Sequence, residues 1–122
     1  MSGGLSGDLR DVEEAAKAGN EDCINAIRSY GYSIRKYIGA YAAAMGGLDA
    51  IVFGGGIGTN SPTVRALALE GLQVLGAELD IAQNTAPTKE DISVPGSKVR
   101  IYLAETNEEL IVARKAEALL KA

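Results

Sequence analysis

Asp49-Ala50-Ile51-Val52-Phe53-Gly54-Gly55-Gly56-Ile57-Gly58-Thr59-Asn60-Ser61-Pro62 is the stretch on which the fold reading turns. Ile51, Val52 and Phe53 form a short apolar run of β-preferring residues, which predicts a buried strand. Four glycines follow within five residues, at Gly54, Gly55, Gly56 and Gly58. Ser61-Pro62 then has the form of a helix N-cap with proline at the first helical position. The order is strand, bare turn, helix. Backbone without side chains lets a ligand approach closely, and a helix start offers free N–H groups and a positive dipole end. A phosphate-bearing small molecule suits such a turn. A plain strand-to-helix connection is the competing reading, although one glycine would serve it.

Outward from this stretch, helices flank it on both sides. Residues 8–17 read as a short helix, with Asp8 as cap, Asp11, Glu13 and Glu14 in its first turns and Gly19 beyond its end. Asn20 caps a long helix reaching Met45, with Ile24, Ile27, Gly31, Ile34, Ile38, Tyr41 and Met45 along one stripe. Gly31 and Gly39 weaken a helix by about 1 kcal/mol each relative to alanine. Together with Ala42, Ala43 and Ala44 they predict an element packed on the helix backbone. A third helix is expected from Pro62 to Leu75, a short strand near Ala77–Leu79, a loop over 84–97 and a strand over Val99–Leu103. Thr106 and Glu109 form a capping box, which predicts a final helix burying Leu110, Ile111, Ala113, Leu119 and Leu120. Strands separated by helices imply an α/β fold with parallel pairing, a sheet of few strands and four main helices.

Composition narrows the function. The 122 residues make one domain or part of one, 47% hydrophobic and 23% charged. A net charge of −4 and the lack of a basic tract argue against nucleic acid and anionic membrane. No apolar stretch approaches the ~20 residues of a spanning helix. With the single Cys23, no intrachain disulfide can form, which suits a reducing cytoplasm. Histidine is absent, so a metal would need oxygen ligands, as Mg²⁺ does. Met1 to Gly7 is glycine-rich and is expected to be flexible.

The glycine turn matches neither common phosphate motif. No lysine follows the glycines as a P-loop needs, and Thr59 stands where the dinucleotide pattern needs its third glycine. Two further segments carry candidate chemistry. Asp8-Leu9-Arg10-Asp11 could hold a ribose hydroxyl or a base edge, or simply start a helix with capping carboxylates. Glu108 could hold Mg²⁺ through water, or simply favour a helix dipole beside Glu109. Cys23 reads as a small core filler and Arg35-Lys36 as solvated surface.

These elements occur together and in order, and residues Leu5 to Ala113 resemble the C-terminal part of the acetokinase family, acetate kinase and its relatives. The resemblance lies in Gly7-Asp8-Leu9-Arg10-Asp11, in Arg35-Lys36-Tyr37-Ile38-Gly39-Ala40-Tyr41-Ala42-Ala43-Ala44-Met45-Gly46-Gly47-Leu48-Asp49, in Ile51 to Asn60, and in Thr106-Asn107-Glu108-Glu109-Leu110. It implies part of an actin-like (ribonuclease H-like) ATPase domain and a reversible transfer of the ATP γ-phosphate to acetate, with Mg²⁺. It implies ATP or ADP contacts at Gly56, Ile57, Gly58, Thr59 and Asn60, an adenosine pocket lined by Asp8, Leu9 and Arg10, and Glu108 on the Mg²⁺ side. It also implies a cytoplasmic homodimer, with the Gly/Ala-rich face of the long helix as the contact. The family carries Glu where Thr59 stands and an aromatic where Leu9 stands. Its acyl-binding arginines and catalytic acid lie in a region preceding the match, so the 122 residues alone are expected not to phosphorylate acetate. The alternatives are an adenine-nucleotide-binding module without catalysis and an oligomerisation module.

Overall fold

A computed structural model describes residues 9–55, 61–104, 110–113 and 120–121. The elements are α1 (Leu9–Lys17), α2 (Glu21–Met45), β1 (Ala50–Phe53), α3 (Pro62–Leu69), a 3₁₀ turn (Leu72–Leu75), α4 (Ile81–Thr85), β2 (Arg100–Leu103), β3 (Leu110–Ala113) and β4 (Leu120–Lys121). The α/β class is as the sequence predicts.

Local chemistry sets the helix ends. The Asn20 side chain accepts from the Cys23 N–H at 3.1 Å and starts α2. Gly46 ends it at φ 75°, a left-handed conformation open to glycine at little cost. Ser61 caps α3, and Pro62 opens it where a missing N–H costs nothing. Gly19, at φ 96°, turns the chain between α1 and α2.

The sheet order is β2-β1-β3-β4. β1 pairs parallel with β2, in register from Ala50↔Arg100 to Phe53↔Leu103. It pairs antiparallel with β3, from Ala50↔Ala113 to Phe53↔Leu110. β4 adds antiparallel to β3. Ile51 and Phe53 of β1, Ile101 of β2 and Val112 of β3 are buried with Ile38, Ala42 and Met45 of α2 and Ala68 and Leu69 of α3. A second cluster, Cys23, Ile27 and Val64, lies where α1, α2 and α3 meet. Cys23 is a fully buried free thiol, as a core filler should be.

Some expectations are corrected. Leu110, Ile111 and Ala113 belong to a strand rather than to a final helix, and Leu120 to a second one. All four residues of β3 are buried, so the segment has no polar face to reveal its period. Pairing is therefore mixed rather than purely parallel, with β1 parallel to one neighbour and antiparallel to the other. The third helix stops at Leu69, because Gly71 adopts φ 83°, and a 3₁₀ turn follows. The expected loop over 84–97 begins inside α4, which takes the place of the final helix as the fourth among the described residues. The predicted strand near Ala77–Leu79 is reduced to isolated bridges, Ala77↔Val99 and Leu79↔Ser93. Residues 1–7, expected to be flexible, lie outside the described residues.

Among the described residues, the long helix meets another element through only one of its two interior glycines. A Cβ on Gly31 would stand 2.6 Å from the Leu67 Cβ, so α3 crosses α2 at near-backbone contact there. Among the described residues, nothing lies within 4 Å of the Cβ position at Gly39. Arg35 is also not free surface: its Nε and Nη2 donate to the Leu67 carbonyl at 3.3 and 2.7 Å. A cation thereby meets the negative end of α3.

Candidate functional site

The carboxyl end of β1 organises the site. Ligands in open α/β sheets sit outside the carboxyl ends of the strands. Beyond Phe53 the chain enters Gly54, which is buried, and Gly55, which turns at φ 68°. It is next described at Ser61, whose hydroxyl accepts from the Val64 N–H at 3.2 Å and caps α3.

Two other segments reach the same end. The Ala104 N–H donates to the Phe53 carbonyl at 3.0 Å, which holds the exit of β2 against the exit of β1. Leu110, the first residue of β3, is paired with Phe53. Both flanks of residues 105–109 therefore sit beside the last residue of β1. From the other side, Ser61 Oγ donates to Glu13 Oε1 and so joins α1 to the start of α3. Leu9 and Arg10 open α1, about one turn before Glu13. Asp8, Gly56, Ile57, Gly58, Thr59, Asn60 and Glu108 lie outside the described residues. The structure thus sets the flanks of the 105–109 segment against the end of β1 and joins α1 to the start of α3, although the joined residues are separated by tens of residues in sequence.

A buried network stiffens this end. Arg65 is 1% exposed. Its Nε donates to Asn84 Oδ1 at 2.8 Å, and its Nη2 to the Asn84 carbonyl at 2.8 Å. Asn84 Nδ2 donates in turn to the Pro62 carbonyl at 2.9 Å. Burial lowers the Arg65 pKa from its ordinary value, but a guanidinium stays charged at neutral pH. The network ties α4 to the first turn of α3, next to the cap. Sequence reasoning missed both residues. An arginine at a buried helix position is visible only once the neighbouring α4 is placed. Glu13 was equally hidden, since its sequence position fits a helix-dipole role just as well.

A cleft of about 300 Å³ opens between α1, α2 and α3, with Ala16, Ile24, Ile27 and Leu67 as apolar walls and Glu13, Lys17, Arg28 and Thr63 around them. Among the described residues, no group of three or more acidic, cysteine or histidine side chains could hold a metal ion. Mg²⁺ needs one or two carboxylates beside phosphates and water, so such a site does not require a cage. Among the described residues no helix is long and apolar enough to cross a membrane.

Comparison with known proteins agrees with this arrangement. The model of the acetokinase family matches residues 1–114. An acetate kinase of Heliobacterium modesticaldum is 48% identical over 118 residues, which cover 97% of this chain and 30% of that protein. The crystal structure of Porphyromonas gingivalis acetate kinase superposes with a TM-score of 0.81 at 43% identity, over 88% of this chain and 28% of that one. A propionate kinase from Francisella tularensis superposes with a TM-score of 0.73 at 31% identity, over 84% of this chain and 26% of that one. The chain therefore spans about 30% of the length of the relatives it matches. Carried by nearly its whole length, the match settles its kinship: this chain belongs to the acetokinase family.

Proposed function

We propose that this chain forms the nucleotide-facing C-terminal part of an acetate kinase, within an actin-like ATPase domain. In that reaction a carboxylate oxygen of acetate attacks the γ-phosphorus of ATP. The bond from that phosphorus to the bridging oxygen of the β-phosphate breaks, giving acetyl phosphate and ADP. Main-chain amides of Gly56, Ile57, Gly58, Thr59 and Asn60 hold phosphate oxygens. Asp8, Leu9 and Arg10 line the adenosine pocket, Leu9 by packing rather than ring stacking. Glu108 is the carboxylate for Mg²⁺, which when bound neutralises phosphate charge. The working enzyme is a cytoplasmic homodimer, and acetate binds in the region of the relatives that these residues do not span.

One observation carries the reading: both flanks of the Glu108 segment meet the end of β1, where the glycine turn begins, and α1 is joined to Ser61, where that turn ends. A nucleotide with a base at one end and phosphates at the other suits segments so placed. The test is an NMR titration of the 122-residue chain with ATP. We expect saturable binding with a dissociation constant on the order of millimolar, since only one wall of a two-sided cleft takes part. Replacing Gly56 and Gly58 by valine should abolish it. A titration unchanged by those two substitutions removes the turn from nucleotide binding.

A further inference from the structure

Ser61 serves two elements at once. Its Oγ accepts from the Val64 N–H, which caps α3, and donates to Glu13 Oε1 on α1, 48 residues away in sequence. Ser61 is 3% exposed, so the pair is not a loose surface contact. A serine hydroxyl has a single proton, and here the carboxylate takes it. Capping alone would be served equally well by aspartate. Aspartate has no proton to give and would set a second negative charge against Glu13. Serine at this position therefore meets a requirement beyond the cap. Glu13 stands one turn after Leu9 and Arg10, and Ser61 directly follows Asn60.

We propose that Glu13 and Ser61 are a positioning pair that fixes α1 against the start of α3, so that one nucleotide can be held at its adenosine and phosphate ends together. This rests on the nucleotide reading above. A ligand that spans both segments gains from having them already in register, because no ordering is left for binding to supply. A ligand that touches only the turn gains nothing from the pair.

Three variants of the 122-residue chain test this: Glu13→Ala, Ser61→Asp and the double variant Glu13→Gln with Ser61→Asp. The double variant reverses the bond. The amide introduced on α1 donates to the carboxylate introduced at the cap, and that carboxylate still caps α3. Each variant is titrated with ATP and with inorganic tripolyphosphate. The two single variants should weaken ATP binding by roughly five- to tenfold, the scale of one lost charge-assisted bond, and the double variant should restore it. Tripolyphosphate binding should stay within about twofold in all three. Equal weakening of both ligands would mean a general structural role and would overturn the proposal, as would unchanged ATP binding in both single variants. If the parent chain binds no ATP, the nucleotide reading has failed. The pair is then judged by amide exchange in the ligand-free chain. Glu13→Ala should speed exchange across α1, and the double variant should reverse it; unchanged exchange overturns the pair.

Discussion

At the scale of single residues, Gly31 and Gly39 look alike in sequence and differ in what surrounds them. Each interrupts α2, and each loses about 1 kcal/mol of helix propensity relative to alanine. At Gly31 an added methyl would meet the Leu67 Cβ at 2.6 Å, with the Ala68 nitrogen at 3.5 Å behind it. That clash presses α3 away from α2 and strains the bond from Arg35 to the Leu67 carbonyl. Overpacking costs typically about 1–3 kcal/mol, so it outweighs the propensity gain. Gly31→Ala should therefore destabilise the chain, by up to about 2 kcal/mol net. At Gly39 the methyl meets no atom of the described residues within 4 Å, and the φ angle is negative. Gly39→Ala should stabilise by roughly 0.5–1 kcal/mol. Urea denaturation of both variants checks the pair of signs, and shifts in the same direction would contradict the packing described.

At the scale of elements, β2 is anchored at its first residue. Arg100 Nε and Nη2 donate to Asp91 Oδ2 at 3.1 and 2.7 Å, and its Nη1 donates to the carbonyls of Val94, Pro95 and Ser97. Ser93 donates to Asp91 Oδ1 through its N–H at 3.0 Å and through its hydroxyl. Burial pushes the Asp91 carboxyl upward, but the bonds from Ser93 and Arg100 outweigh it and hold the group below its usual 3.8. A depressed native pKa adds stability that is complete above the unfolded value and fades as pH falls through the native one. The parent should thus exceed Asp91→Asn in stability near pH 7, and the gap should close as the pH falls into and below the usual carboxylate range. Denaturation curves across that range check it; a gap that widens in acid would contradict the linkage. Such long-range bonds also mark what the sequence withholds. The caps at Asn20 and Ser61 were legible because each bond spans three residues. β3 was not, because its identity is decided by pairing Val112 with Ile51, while Thr106 and Glu109 mimic a helix start. α4 escaped notice because its five residues are too few to show a period, and Ile81 is 68% exposed. The glycine turn was legible as composition, whereas its tie to α1 through Glu13 was not, since nothing local links residues 48 apart.

At the scale of the whole molecule, catalysis depends on groups converging on one phosphorus atom. Phosphoryl transfer asks little covalent chemistry of the protein; rate comes from positioning and from cations around the transferred group. The described residues place flanking segments around one end of a sheet, which suits holding a nucleotide. Three of the described arginines are committed elsewhere: Arg65 is buried on Asn84, Arg35 caps α3, and Arg100 holds the loop on Asp91. None of these is set to meet charge developing on a γ-phosphate or on an acetate carboxylate. Binding the ground state without stabilising the transition state leaves the chemical step slow. Removing one preorganised donor alone costs about 10²–10³ in rate, and these three arginines supply none. The 122-residue chain with ATP, Mg²⁺ and acetate should therefore form no acetyl phosphate above the protein-free background. Trapping acetyl phosphate with hydroxylamine, or coupling ADP release to NADH oxidation, measures this directly. Turnover above background that is lost in the Gly56→Val, Gly58→Val variant would show that these residues assemble a complete transfer site on their own.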